Sequence, residues 1–474
     1  MFMLADLYRA LRRDPPQDPA VAGIACTGLS HDSRILQPGE VFLALRTDQR
    51  DGHEFIPDAV SKGAAAILCQ RPLPEVSIPQ IRVRNPNDAA WKLASYLVRQ
   101  RSNMRIVAIT GSYGKTTTKE AIATVLAERF AVCRALGTEN NEIGIPRTVA
   151  RCMPEDEVLV LEMGAQWRGE IAGYCRRIRP DVGVVTAVGP VHLELFGSLD
   201  RVQYAKAELV QALLARGTAV LNGDDPRVRR MSATTRADVV TYGVEGMADV
   251  LAQNVKVLPD GWTQFDVQAG SDRGQLKTQV LGQAGVYAAL AATAVGRVFG
   301  LTLREIAQGL AKVRPTPGRL HVRKGRNGSI LLDDAYNANR VSATLALESL
   351  AQLGGQGRKF AVFGDMLELG EYAAEEHRLL GEAAARYADR LVTIGNDSAA
   401  TAAGARAAGM DPAHITEFAA SHADDDALEA ALDFAETLLK KEVKQHDVVL
   451  IKGSHGMGLY RLAERWALAD PAEG

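Results

Sequence analysis

Short apolar runs, each followed by a segment with helical spacing, recur along most of this chain and set its predicted elements. The clearest are Arg105 to Thr110, Glu157 to Met163, Val182 to Val188 and Thr218 to Asn222. Four more follow: Ile330 to Asp334, Phe360 to Gly364, Leu391 to Gly395 and Val448 to Gly453. A continuous apolar run of this length reads as a strand covered on both faces, and strand–helix alternation predicts a parallel sheet between helical layers. Ahead of them, Val41 to Leu45, Ala65 to Cys69 and Gln80 to Val83 predict shorter strands among turn signals. Between about Val250 and Leu281 the pattern becomes period-two with Gly and Asp turns, predicting a β-hairpin insertion. Helical spacing returns from Ala284 to Phe299.

Two proline-bearing stretches divide the chain, Arg71 to Pro86 and Arg314-Pro-Thr-Pro-Gly318, because proline at that spacing resists helix and strand alike. Three domains follow: 1–85, 86–313 and 314–474. The predicted class is α/β: a small mixed α/β N-terminal domain, a central parallel-sheet domain built on a phosphate-binding loop, with a β insertion, and a C-terminal Rossmann-like domain. A chain of 474 residues is too long for one ordinary core, which agrees with that division.

Composition narrows the function classes. With 47% hydrophobic and 24% charged residues and a net charge of −2, the chain has neither a nucleic-acid footprint nor a polybasic membrane patch. Cys26, Cys69, Cys133, Cys152 and Cys175 share no metal-ligand spacing and read as reduced thiols of a cytoplasmic protein. The N-terminal MFMLADLYRALRR interleaves charges with apolar residues, so neither export nor membrane insertion is expected.

The most chemically specific stretch is Val107-Ala-Ile-Thr-Gly-Ser-Tyr-Gly-Lys-Thr-Thr-Thr-Lys119, a strand, a glycine turn and then a helix-forming segment from Lys119 to Phe130. That geometry aims several backbone N–H groups at one point, where a polyphosphate can sit. Lys115 adds a charge for the terminal phosphates and a threonine hydroxyl adds a ligand for Mg²⁺. The usual phosphate-binding loop would carry glycine at Ile109; here the first glycine is Gly111, giving a shorter T-G-x-x-G-K-T. Glu162 ends the run VLVLEMGA, where a carboxylate can hold a nucleotide-bound Mg²⁺. His192 and Lys206 are unremarkable singly, a loop histidine and a helix-start lysine. Asp333-Asp334 closes a strand where a ribose could be gripped, and the turn after Gly364 begins at Asp365.

Together these segments resemble, in order and nearly end to end, the Mur ligase family. Asp32-Ser-Arg34, Pro38-Gly39, the Phe42-to-Leu45 strand and Asp51-Gly-His53 are similar to its UDP-sugar-recognising domain. The phosphate loop has the family's shortened form, and Thr138-Glu-Asn-Asn-Glu-Ile-Gly-Ile-Pro146 resembles its substrate and γ-phosphate loop. Asp333-Asp-Ala-Tyr-Asn-Ala-Asn339, Gly364-Asp-Met-Leu-Glu-Leu-Gly370 and Lys452-Gly-Ser454 look most like the member that adds D-alanyl-D-alanine. The resemblance implies an ATP-dependent amide-bond ligase that uses Mg²⁺ and joins D-Ala-D-Ala to UDP-MurNAc-tripeptide through an acyl phosphate. It implies nucleotide contacts from Gly111, Ser112, Tyr113, Gly114, Lys115, Thr116, Thr117, Asn141, Arg319, Asp334 and Asn337. It implies substrate contacts from Ser33, Arg34, Asp51, His53, Thr138 and Asn140. Lys115, Glu162, His192 and Lys206 would be catalytic, with Thr116, Glu162 and His192 as metal ligands. Lys206, once carbamylated, would support the second Mg²⁺ as an anion, whereas a bare ammonium would oppose it. A monomer acting only on small molecules is expected.

Several positions depart from the family pattern. The helix after the β insertion usually opens His-Asn-x-x-Asn, with an asparagine on the adenine; here it reads Ala284-Gly-Val-Tyr-Ala288. Losing that hydrogen bond and a stacking partner predicts weaker or less base-selective ATP binding, by about 1–3 kcal/mol. Arg340 stands where proline is usual, His455 where arginine is usual, and Thr47 where glycine is usual. Two alternatives therefore stand beside the main reading: a Mur-like ligase for another carboxylate and amine pair, and a nucleotide-binding paralogue with impaired catalysis.

Overall fold

The computed structural model describes residues 1–258, 261–353 and 355–468, so 469–474 at the end of the predicted third domain lie outside the described residues. The first eighty-odd residues form a four-stranded parallel sheet in the order Gly28–Ser30, Glu40–Leu43, Ala66–Cys69, Gln80–Arg82, with a small antiparallel pair, Phe2–Met3 and Ala25–Cys26, beside it. The helix Pro86–Gln100 then opens the central region, its first turn capped by Asn85, whose side chain accepts from the Asn87 and Asp88 N–H groups.

The central sheet has nine strands. From one edge they run Val132–Arg134, Val158–Glu162, Arg105–Thr110, Val182–Val185, Thr218–Asn222, Asp238–Gly243, Val250–Val257, Thr263–Ala269 and Asp272–Thr278. The first seven are parallel and the last two antiparallel. The period-two stretch forms the expected β hairpin, with a third strand added to it. Its first strand pairs in parallel with Asp238–Gly243 through Tyr242 and Gly243, so the meander extends the sheet edge.

The apolar runs are continuous because both faces of the sheet are covered. Ile106 and Ala108 enter one core, shared with the first domain and the helix Pro86–Gln100; Val107 and Ile109 enter the other, under the helices Lys115–Leu126 and Gly282–Val298. A glycine lets the next helix, Leu303–Lys312, approach Lys115–Leu126 closely: a Cβ on Gly309 would meet the Val125 backbone at 2.6 Å.

The third region carries a six-stranded sheet in the order His321–Lys324, Ile330–Asp334, Val448–Lys452, Lys359–Gly364, Arg390–Ile394, Ile415–Phe418, parallel except for its first strand. It docks on the central region where Leu281 joins the third region's core with Leu347 and Leu350. Among the described residues no helix is long and apolar enough to cross a membrane.

Candidate functional site

The carboxyl ends of the central strands and of the third-region strands face one cleft of about 1060 Å³. This is where a parallel sheet presents ligand groups. The phosphate loop forms its floor. Gly111 is needed because a Cβ there would run into the Thr186 hydroxyl, and Gly114, at φ 77, caps the helix Lys115–Leu126 in a left-handed conformation. Ser112 fixes the loop to the next strand end: its Oγ donates to the Gly189 carbonyl at 3.1 Å and accepts from the Gly189 N–H at 2.9 Å. The Lys115 ammonium folds back onto its own loop, donating to the Gly111 carbonyl at 2.8 Å. Burial lowers its pKa, with Glu162 opposing. A bound polyanion would draw that charge outward.

Thr116 and Glu162 are brought into contact. The Thr116 hydroxyl donates to one Glu162 oxygen at 2.8 Å and Asn140 Nδ2 donates to the other at 2.8 Å, with Thr116 and Glu162 both buried. The register explains this, since Glu162 lies opposite Ile109, just before the loop. A hydroxyl and a carboxylate beside a phosphate floor make a hard-oxygen donor set, which suits Mg²⁺ completed by phosphate oxygens and water. Lys119, not singled out by the sequence, is fully buried and donates to the Ala135 and Gly137 carbonyls at 2.8 and 2.7 Å. It thereby anchors the segment that carries Thr138, Asn140 and Asn141. Asn141 lines the cleft, but its Oδ1 accepts from the Ile143 and Gly144 N–H groups, capping the helix Gly144–Arg151.

His192 and Lys206 line the same cleft. Burial lowers the His192 pKa, opposed by Glu368, a third-region residue whose carboxylate hydrogen-bonds His192 Nδ1. Lys206 lies inside the helix Leu199–Gln211 and is 2% exposed. Burial, and then the Lys115 charge, push its ammonium down to about 7, with Glu170, Glu208 and Glu162 opposing.

From the third region, Arg319 lies over the Tyr336 ring at 4.2 Å and, among the described residues, its buried Nε meets no hydrogen-bond partner. Asp334 is occupied: one oxygen accepts from the Leu320 N–H at 3.0 Å and the other pairs with Lys452 at 2.6 Å. Burial raises the Asp334 pKa and Lys452 opposes the rise. Lys452 also donates to the Asn337 carbonyl at 2.8 Å. Tyr336 reaches across to the central domain, donating to the Thr138 hydroxyl at 2.8 Å. Tyr113 and Thr117 complete the expected nucleotide residues along the wall.

At the far end of the cleft, Ala284 and Ala288 stand at two of the positions expected to meet the adenine. Gly285 admits no side chain, because a Cβ would fall on the Val280 carbonyl. Two residues on, however, Tyr287 lines the cleft, its hydroxyl donating to Asp224 at 2.9 Å. An aromatic face is therefore present, although the polar triplet is not. The sequence offered Tyr287 as an aromatic at a helix start, but Asp224 lies on another strand end and gave no signal.

The first-domain residues lie elsewhere. Ser33, Arg34, Asp51 and His53 do not line this cleft or the second cavity. Arg34 pairs with Asp32, Ser33 is buried beside Asp58, and Asp51 caps the turn Gly52–Phe55 while accepting from His53 Nδ1. His53 Nε2 in turn accepts from the Gln70 and Arg71 N–H groups. The second cavity, about 1150 Å³, lies between the first domain and the helix Glu170–Ile178 and shares Asn141, Gln166, Glu170 and Tyr174 with the main cleft. Its walls carry five basic side chains, Arg13, Arg84, Lys92, Arg176 and Arg177, against three carboxylates, Asp88, Glu142 and Glu170.

Known proteins with this arrangement are numerous. The chain matches the Mur ligase family catalytic domain over residues 25–108, the Mur ligase middle domain over 109–296 and the Mur ligase glutamate ligase domain over 318–455. It is 36% identical to the UDP-N-acetylmuramoyl-tripeptide--D-alanyl-D-alanine ligase of Mycobacterium tuberculosis, over 96% of this chain and 94% of that protein. Its fold superposes on MurF from Acinetobacter baumannii with a TM-score of 0.83 and 27% identity, covering 98% of each chain. It superposes on MurF ligase from Thermotoga maritima in complex with ADP at 0.77 and 29%, covering 93% of this chain and 96% of that one. With the shortened phosphate loop, the Thr116–Glu162 pair and the buried Lys206 all in one cleft, this chain belongs to the Mur ligase family.

Proposed function

We propose that this protein joins D-Ala-D-Ala to UDP-N-acetylmuramoyl-tripeptide at the expense of ATP, as its near-full-length relatives are named to do, and so supplies a peptidoglycan precursor. The observation that carries the reading is the buried Thr116–Glu162–Asn140 cluster beside Lys115, facing a lysine whose amine titrates near neutrality. The tripeptide carboxylate attacks the γ-phosphorus of ATP; an acyl–phosphate bond forms, the β–γ bridge breaks and ADP leaves. The D-Ala-D-Ala amine then attacks the acyl carbon, expels inorganic phosphate and gives up a proton.

The first step brings one anion up to another, so preorganised positive charge is the main requirement. Lys115 supplies it on the phosphate side and the loop N–H groups orient the chain of phosphates. Thr116 and Glu162 are suited to hold a Mg²⁺, with His192 toward a second; bound there, Mg²⁺ would neutralise charge developing on the transferred phosphoryl group. Asn140 keeps the Glu162 carboxylate turned toward the loop. Carbamylation of Lys206 fits its depressed pKa, because only an uncharged amine adds CO₂, and the product is an anion opposite Lys115.

The basic second cavity is suited to the diphosphate of the nucleotide sugar, and its shared wall leads the peptide toward Glu162. The five free cysteines support a cytoplasmic setting. Phosphate release with ATP, Mg²⁺ and UDP-MurNAc-tripeptide should depend on added D-Ala-D-Ala. Release that ignores the dipeptide would refute the assignment.

A further inference from the structure

Two residues that meet across the cleft stand in backbone conformations that side-chain-bearing residues rarely adopt. His192, at φ 51, precedes the short helix Leu193–Phe196 of the central domain; Glu368, at φ 64, follows the third-domain strand Lys359–Gly364. Strain of this kind persists where the surroundings impose it and gathers at functional sites. Here each residue is fixed by the other's segment. The Glu368 carboxylate hydrogen-bonds His192 Nδ1, the Glu194 N–H donates to the Glu368 carbonyl at 3.3 Å, and Gly370 packs over the Glu194 backbone. One third-domain loop thus grips, by backbone and side chain together, the short element that presents His192.

The ring so gripped faces Lys115 and Lys206, whose charges both act on it. A carboxylate at Nδ1 fixes the rotation and tautomer of an imidazole and leaves Nε2 as the atom offered to the site. The pair is partly open to solvent, with His192 and Glu368 side chains 31% and 49% exposed. At that exposure an ion pair adds little to stability, so its placement at the cleft suits orientation better than fastening.

We propose that Glu368 is a positioning residue for His192. Carried by the third domain, it sets the imidazole in the central cleft, so the His192 side of the site is assembled only while the two domains are docked. The inference rests on the ligase reading above, in which His192 faces the reacting groups.

Glu368→Ala, Glu368→Gln and His192→Ala test it. Glu368→Ala should lower kcat by about tenfold or more, the usual cost of removing a carboxylate behind a site histidine. The KM for ATP should stay nearly constant, the Mg²⁺ concentration for half-maximal rate should rise, and the melting temperature should barely move. Glu368→Gln keeps an oxygen acceptor for Nδ1–H and should recover most of the loss. Without turnover, the His192 imidazole ¹⁵N resonances of the ligand-free protein, assigned by their absence in His192→Ala, should shift toward a mixed tautomer in Glu368→Ala.

Full activity in His192→Ala would undo the site reading itself. An inactive His192→Ala beside a Glu368→Ala of normal kcat and unshifted resonances would overturn the positioning role alone. Equal loss of kcat, ATP affinity and melting temperature in both Glu368 variants would also overturn it, marking a docking contact only.

Discussion

The two ends of the nucleotide cleft are built on different terms. At the phosphate end, the loop and the groups around Glu162 come from the central domain, and each is tied down by a short contact: Ser112 to Gly189, Thr116 to Glu162, Asn140 to Glu162, Lys119 to Ala135 and Gly137. At the base end, Tyr287, pinned by Asp224, lines the cleft between Ala284 and Ala288, the positions where the family usually places histidine and asparagine. Phosphates demand backbone N–H groups and charge at fixed points, so that end tolerates little change. A purine offers a wide π face that many side chains can cover, so the other end can be rebuilt from different parts.

Mutation should separate the two ends sharply. Lys115→Ala, at the phosphate end, should cut kcat by about 10²–10³-fold, as removal of one preorganised charge-stabilising donor does elsewhere. A loss under tenfold would place the phosphate charge on some other group. Lys206→Ala should inactivate comparably, and acetate, by replacing the carbamate, should restore part of the turnover; undiminished activity without acetate would remove Lys206 from the site.

The same lysine links chemistry to stability. Its folded-state pKa of about 7 lies below the ordinary 10.5, so the unfolded chain binds its proton more tightly. That penalty is complete below pH 7 and fades as pH rises toward 10.5, so this group makes stability increase with pH across the window. Lys206→Met removes the penalty. In CO₂-free buffer the variant should melt higher than wild type at pH 7, with the gap closing by pH 10; a constant gap would show that the amine is not the cause.

The base end should respond more mildly. Tyr287→Ala should raise the KM for ATP by about tenfold, equivalent to ~1.4 kcal/mol of stacking and burial, while kcat stays within about twofold. Smallest of all should be the difference between ATP and GTP, because a ring face reads no base edge; KM values within about tenfold of each other are expected. Strict adenine selectivity would mean that Asp224 or a neighbour reads the edge after all.

How much of this could be read from the chain alone follows from the same contrast. The doubly covered sheets were legible because both faces of each strand are apolar, as with Ile106 and Val107. The phosphate loop was legible because its ligand groups are consecutive. The β insertion was legible from its period-two pattern, but its attachment to the sheet edge was not, because the parallel pairing with Asp238–Gly243 rests on only Tyr242 and Gly243. Glu368, Tyr336 and Lys452 take their meaning from partners in distant parts of the chain: His192, Thr138 and Asp334. No local spacing announces such pairs. The first-domain motif shows the reverse case: Asp32 pairs with Arg34 and Asp51 with His53 within a few residues, so these contacts are local and were in reach of the sequence.

Gly285 limits which substitutions this protein can accept. With Val280 seated where a Cβ would go, restoring the family's asparagine by one codon change would drive that side chain into a carbonyl. The family's base pocket is therefore not one substitution away, since Val280 would have to withdraw before an asparagine could stand at this position. Changes around Tyr287 are open to this chain in a way that a side chain at Gly285 is not.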